Sequence, residues 1–463
     1  MRYVAVGGFA LLPLQWFVIL QAGGTLRLHQ VAALILTAVL ILRYGLPKVG
    51  RGIRGAQGFV IANVYMLVLW AALNVFNGLG LSDPIKQATF LVTFVAVMAM
   101  FFFAVRDHDI ELIDTLRWTV TASVVVMLAA FGFSMLSNGV NPVDVISRTI
   151  SSGDPNILQK ELFRTSFAGF GFDNEEARGN LRHEVFGGLL FTMYVSAWAV
   201  AKRPFEISRH QAIYRIALGL GALLLLSSLS RSILVAAAIW PALSLVRALL
   251  TGRVSTRQQL AVLAGLGGLG GLAVSGFLAV VWTRFTEETN SYNTREELLS
   301  LAFQRIQDNF WTGGVDTQRT SSHNFLLDMW QRGGIFVGIP ALIIFVYISW
   351  VWFRLLIQLR TVPDDLFVLV AAMALPCVRL VTQGGGSLQI VEWVTLAFVL
   401  GVLAAARVRL ADEPSEPSAQ DMAGEDAPAL VPASGRPLVP HATPVAFRAP
   451  LTHRAGDRQR SDD

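Results

Sequence analysis

Residues 88–105 read ATFLVTFVAVMAMFFFAV, eighteen consecutive positions without a charge. At about 1.5 Å per residue such a run makes a helix roughly 27 Å long, close to the ~30 Å apolar thickness of a bilayer. Comparable runs recur along the chain with short loops between them. Composition agrees: of 463 residues, 54% are hydrophobic and only 15% are charged, with a mean hydropathy of +0.54. A soluble domain carries about 25% charged residues. The expected fold is therefore all-α, a polytopic helical membrane protein with about twelve transmembrane helices and a helical external loop.

Working outward from 88–105, the other expected spans lie at 3–21, 30–46, 58–79, 119–136, 185–201, 213–229, 232–249, 260–282, 335–352, 366–382 and 388–405. The first could pass for a signal peptide, but no small-residue cleavage pattern follows it, and it is read as a span. Positive charge orients the set. Arg43, Lys48, Arg51 and Arg54 follow the second span, and Lys202, Arg203, Arg209 and Arg215 the sixth. Arg247, Arg253 and Arg257 follow the eighth, Arg354 and Arg360 the tenth, Arg407 and Arg409 the twelfth. All come after even-numbered spans, so the positive-inside rule puts those loops and both termini in the cytoplasm. The long polar segments 137–184 and 284–334 then lie outside. The transmembrane domain covers 1–410, and the Pro-, Ala- and Ser-rich stretch 411–463 reads as a disordered cytoplasmic tail.

The net charge of +5 is accounted for by this topology, and nucleic acid is not an expected partner. Membrane lipids are the expected surroundings. The single cysteine, Cys377, excludes an intramolecular disulfide, and no Cys/His spacing suggests a metal site. Asp107-His108-Asp109 has D-x-D spacing but falls in a cytoplasmic charged loop.

Chemistry is sought in the external segments. Thr294-Arg295-Glu296-Glu297 is a capping-box pattern that should begin a helix. Behind it Leu299, Ala302, Phe303, Ile306 and Phe310 keep helical spacing, and Arg295 extends that stripe. The arginine either snorkels to lipid phosphates or binds an anion over a cavity. Ser321 or Ser322 can cap a second helix, on which His323, Leu326, Leu327 and Trp330 share one face. Asn324, Asp328 and Gln331 share the other. A lone histidine is usually structural; one on an apolar stripe is also a candidate base. Gly333-Gly334 permits a sharp bend into the tenth span.

Ser230-Arg231-Ser232 interrupts two apolar runs at the outer side, where Arg231 is either a topology marker or a phosphate ligand. Arg379 and Glu392 flank Gly384-Gly385-Gly386 at similar depth and are expected to pair. Arg164, Asn174, Arg178, Arg182 and Arg319 complete the basic external set, as solvated loop residues or as glycan contacts.

These residues carry a family resemblance. Ser321-Ser322-His323-Asn324-Phe325-Leu326-Leu327, with Gly334 and Gly338 following, resembles the His-Asn signature of the O-antigen ligase and O-antigen polymerase superfamily. Arg295 with Ile306-Gln307-Asp308-Asn309-Phe310-Trp311-Thr312-Gly313-Gly314 resembles the segment before that signature. Leu226-Ser227-Ser228-Leu229-Ser230-Arg231-Ser232 looks like its Ser-Arg turn, and Asp173-Asn174-Glu175-Glu176-Ala177 is similar to its upstream Asn element. One departure is Val337, which stands where the family has its second glycine.

The resemblance implies a metal-independent inverting glycosyltransferase of the bacterial inner membrane, with no cofactor. Its donor would be an oligosaccharide on polyprenyl pyrophosphate and its acceptor a glycan or a lipid-linked glycan, alongside other polysaccharide-assembly proteins. His323 would be the base, and Arg231 and Arg295 the phosphate ligands. Arg164, Asn174, Arg178, Arg182, Arg319 and Asn324 would contact substrate. A polytopic transporter or lipid-linked glycan flippase is the alternative from another class, and a non-enzymatic envelope scaffold is a third.

Overall fold

A computed structural model describes residues 1–14, 18–21, 25–137, 139–154, 157, 161, 175–228, 230–252, 290–317, 321–382 and 388–412. At 18–21, 25–29, 47, 134, 137, 175–183, 227, 290–295 and 409–412 it describes the backbone alone. Residues 1–412 form one compact unit; 413–463, which include nearly all of the expected tail, lie outside the described residues.

The chain is helical almost throughout. It opens with α1 (Arg2–Ala10), a 3-10 turn, and a hairpin of β1 (Val18–Gln21) and β2 (Thr25–Arg27). Then come α2 (Leu28–Tyr44), α3 (Leu46–Gly52), α4 (Gln57–Phe76), α5 (Ser82–Arg106), α6 (Ile110–Leu116), α7 (Thr119–Ser137) and α8 (Pro142–Ser152). After them follow α9 (Glu175–Lys202), α10 (Ser208–Ser227), α11 (Arg231–Thr251) and α12 (Asn290–Asp308). The last four are α13 (Phe325–Ile357), α14 (Asp364–Ala372), α15 (Ala374–Thr382) and α16 (Ile390–Asp412).

Among the described residues eight helical stretches are long and apolar enough to cross a membrane, so the molecule is a multi-pass helical membrane protein. They match eight of the twelve expected runs. The other four differ. Residues 3–21 are not one span: α1 is nine residues long, about 13.5 Å, and ends ahead of Pro13 and the hairpin. Residues 30–46 fall mostly in α2, which ends at Tyr44 and whose apolar part, Gln30–Tyr44, is shorter than the others. Residues 213–229 fall mostly in α10, which carries Arg209, His210 and Arg215 in its first half. Residues 260–282 lie outside the described residues.

Burial divides the eight into two sets. The apolar windows of α9, α5 and α16 are 89%, 78% and 78% buried, whereas that of α11 is 17% buried. At the centre, Phe101 of α5 meets Phe398 of α16 at 4.7 Å and Trp198 of α9 at 5.7 Å, and Phe9 of α1 packs on Phe191 at 5.2 Å. Close approach of α16 to α5 depends on Gly401, where a Cβ would stand 2.5 Å from the carbonyl oxygen of Met98. Around this core α4 packs on α13, α11 on α15, and α12 on α13.

Cations gather at one end of the bundle. There Arg43 pairs with Asp109 (3.0 Å), Lys202 with Asp365 (2.7 Å) and Arg247 with Asp364 (2.8 Å). The D-x-D carboxylates are engaged locally: Asp109 also caps α6 through Leu112 N–H, and Asp107 accepts from Arg106 at 2.6 Å. No group of three or more His, Cys, Asp and Glu side chains is placed to hold a metal among the described residues.

Candidate functional site

At the opposite end the chain makes a clasp. The main chain of 310–315 pairs with that of 331–335: Ile335 N–H donates to Phe310 O (2.9 Å), Gly314 N–H to Arg332 O (2.9 Å) and Val315 N–H to Gln331 O (3.1 Å). This contact requires the bend expected at Gly333-Gly334. Gly334 adopts φ 57°, ψ −154°, a region open essentially to glycine, and a Cβ there would collide with the Trp311 carbonyl.

The bend orients the first two turns of α13, and here the expected faces are exchanged. Asp328 and Gln331, placed on the face away from the apolar stripe, are fully buried, while Leu326, Leu327 and Trp330 of the stripe are half-buried. Physics favours this in lipid, because polar groups are costly against acyl chains and turn to the protein interior. The cap is also reassigned. Asn324, not Ser321 or Ser322, is the N-cap, its Oδ1 accepting from Leu326 N–H (3.0 Å) and Leu327 N–H (3.3 Å). His323 therefore precedes the helix and does not extend a stripe on it.

The two serines serve Asp328 instead. Its carboxylate accepts from Ser321 Oγ–H (2.5 Å), Ser322 Oγ–H (2.6 Å), Ser322 N–H (2.7 Å) and Gln331 Nε2–H (3.3 Å). Ser321 Oγ in turn accepts from His323 N–H at 3.0 Å. This anchored turn holds His323 at φ 58°, an uncommon conformation for a side chain with a Cβ. The ring is left half-buried at the mouth of the turn. Strain of this kind is sustained only where surrounding contacts over-determine it, as the four donors to Asp328 do.

One turn further on, Arg332 is buried, donating through Nε to Thr317 Oγ1 and through Nη1 to Asp83 Oδ2 (3.0 Å) at the start of α5. Its guanidinium lies 5.0 Å from the centre of the Trp70 ring. A cavity of about 230 Å³ opens beside it, lined also by Asn74, Asp83 and Asp316. Sequence reasoning singled out neither Arg332 nor Asp83. The signal available was the one that found Arg379 and Glu392: opposite charges at similar depth beside neighbouring spans.

Asp83 leads to the second arginine turn. Gln87, one helical turn along α5, donates to Leu388 O (3.0 Å) and accepts from Trp393 Nε1–H (3.2 Å). Glu392 beside it accepts from Gln389 N–H (2.7 Å) and from Arg379 Nε–H (3.0 Å), forming the expected pair. Arg379 Nη1 then donates to Ser232 Oγ at 3.1 Å, next to Arg231. Arg231 is the first residue of α11, half-buried, after the N-cap Ser230. Three polar groupings thus lie in succession: Arg332 with Thr317 and Asp83, then Gln87 with Trp393, then Glu392 with Arg379 and Ser232. They put the His323 turn and the Arg231 turn at the same end of the bundle.

Other expected site residues are less fully described. Arg295 lies in α12, which begins at Asn290, so Thr294 is inside the helix and does not cap it. Its backbone position is three, four and seven residues before half-buried Leu298 and Leu299 and buried Ala302. Phe303 and Phe310 are exposed, contrary to the expected stripe. Arg178 and Arg182 belong to the backbone of α9 ahead of its apolar part. The side chains of Arg295, Arg178 and Arg182, and the residues Arg164, Asn174 and Arg319, lie outside what is described.

Such an arrangement can offer an imidazole and a guanidinium to a ligand approaching one end of the bundle. No family model matches the chain, and no curated protein matches it.

Proposed function

We propose that the chain is a membrane glycosyltransferase of the O-antigen ligase and polymerase type. It would move an oligosaccharide from a polyprenyl pyrophosphate to a glycan or lipid-linked acceptor at the outer face of a bacterial inner membrane. In this reading both termini are cytoplasmic and about twelve spans surround the core. The observation that carries it is the strained His323 turn, anchored on Asp328 and lying at the same end of the bundle as the Arg231 turn.

The chemistry needs few parts. An acceptor hydroxyl attacks the anomeric carbon, the bond from that carbon to the diphosphate oxygen breaks, and configuration inverts. His323 takes the hydroxyl proton as the new bond forms. Arg231 and Arg295 hold the departing diphosphate, whose charge rises as it leaves. Diphosphate is a good leaving group, so this scheme calls on no cofactor. Arg164, Asn174, Arg178, Arg182 and Arg319 line the approach of the sugars. Asn324 has its carbonyl oxygen committed to the helix cap, and its amide is the part offered to substrate.

Purified protein in nanodiscs, supplied with a lipid-linked oligosaccharide and graded acceptors, tests the reading. His323→Ala should lower transfer by about 10²–10⁴-fold, the usual contribution of a positioned base, with insertion into the membrane unchanged. Undiminished transfer would overturn the assignment. Arg295→Lys should recover only part of the activity, because a point charge does not replace a planar fork of donors.

A further inference from the structure

At the basic end lies a cavity of about 600 Å³ whose walls include Arg247, Arg360, Ser244, Thr251, Thr361 and Asp364. It is separate from the His323 and Arg231 turns, and nothing in the proposed chemistry uses it. Its volume falls within the ~300–1,000 Å³ range of small-molecule sites.

Arg247 is fixed there from three directions. Nη1 pairs with Asp364 Oδ1 (2.8 Å), Nη2 donates to Val362 O (2.6 Å), and the guanidinium lies 5.0 Å from the centre of the Phe367 ring. These contacts leave its Nε–H without a hydrogen bond among the described residues. Across the cavity Arg360 is exposed and makes no ion pair among the described residues. The hydroxyls of Ser244, Thr251 and Thr361 donate to helix or turn carbonyls, so they can only accept from a ligand as they stand. The opposing carboxylate, Asp364, is 86% exposed and strongly solvated, which weakens its claim on a second cation. The cavity therefore presents the pre-organised guanidinium of Arg247 and the exposed guanidinium of Arg360 to an anion.

Apolar surface adjoins it. Leu245, Leu249 and Leu250 of α11 and Phe353 and Ile357 of α13 are exposed, as expected of side chains that face acyl chains. A ligand carrying a phosphate and an apolar tail matches both features. We propose that this cavity binds a phosphate group, bridging the end of α11 to the turn between α13 and α14. A phospholipid headgroup and free phosphate share the recognised chemistry.

The test uses the full chain in nanodiscs of phosphatidylcholine, with phosphatidylglycerol titrated into the bilayer in one arm and inorganic phosphate into the buffer in another. Thermal unfolding and native mass spectrometry are the readouts. A rise in Tm and a retained phosphatidylglycerol adduct identify a lipid headgroup; the same rise with inorganic phosphate alone identifies a soluble source. In either case Arg360→Gln should weaken the effect about fivefold, the contribution of one arginine near a membrane surface. Arg360 is exposed and makes no ion pair among the described residues, so this variant should fold as the parent does. No shift in either arm, or a shift equal in parent and Arg360→Gln, would overturn the proposal.

Discussion

The ion pairs at the basic end and the arginine pairs near the clasp at the other end handle charge in opposite ways. At the basic end the ion pairs are half-solvated: Lys202 and Asp365 keep 28% and 16% of their side-chain surface, and Asp364 keeps 86%. At the other end Arg379 and Glu392 keep 4% and 3%, and Arg332 keeps 4%. Solvated pairs contribute little to stability and chiefly mark which side of the membrane a loop occupies. Buried ones are costly to desolvate, and Arg379, Glu392 and Arg332 each have a further hydrogen bond, to Ser232, Gln389 and Thr317. At that end, charge organises backbone turns.

The largest stability effect is therefore expected at the buried pair. Arg379→Met strands Glu392 and releases Ser232, and it should destabilise the protein by about 3–5 kcal/mol. Loss of folded yield in detergent checks this. The double variant Arg379→Met/Glu392→Met should recover much of that yield, since no buried charge is left unpaired. If the single variant unfolds like the parent, the contrast between the ends fails.

Asp328→Ala comes next. It leaves Ser321, Ser322 and Gln331 donors buried without their acceptor, and should lower stability by about 1–3 kcal/mol. Transfer should fall by more than stability alone explains, because His323 loses its anchor. Comparing activity per folded molecule in Asp328→Ala and Asp328→Asn separates the two effects. The smallest change is expected for Lys202→Ala at the basic end, about 0–1 kcal/mol. A larger drop in Tm would mean that its pair with Asp365 is a structural tie.

Much of the site was legible for a simple reason. Arg379 and Glu392 stand at similar depth beside adjacent spans, so their pairing follows from length counting. Gly333-Gly334 permits a bend because glycine reaches backbone angles closed to other residues, although Gly187-Gly188 in α9 stays helical. Arg332 with Asp83 was missed although the same argument applied, because one lay in a loop and the other at a helix start. The Asn324 cap was missed because Ser321, Ser322 and Asn324 can each cap a helix, and only the backbone path selects among them. Misplacing the cap moved His323 onto a stripe it does not join.

Sequence alone determined that apolar runs of bilayer length alternate with polar loops, and hence that the chain crosses a membrane several times as helices. It also determined that cations concentrate after alternate runs. Tertiary structure decided which helices form the core. The windows of α5 and α11 have mean hydropathies of 2.5 and 2.1, yet 78% of one is buried and 17% of the other. It likewise decided that Asp328 and Gln331 turn inward while Leu326 and Trp330 are partly exposed. In water an apolar face announces the interior. In lipid the tails are as apolar as leucine, so hydrophobicity no longer distinguishes inside from outside, and packing must.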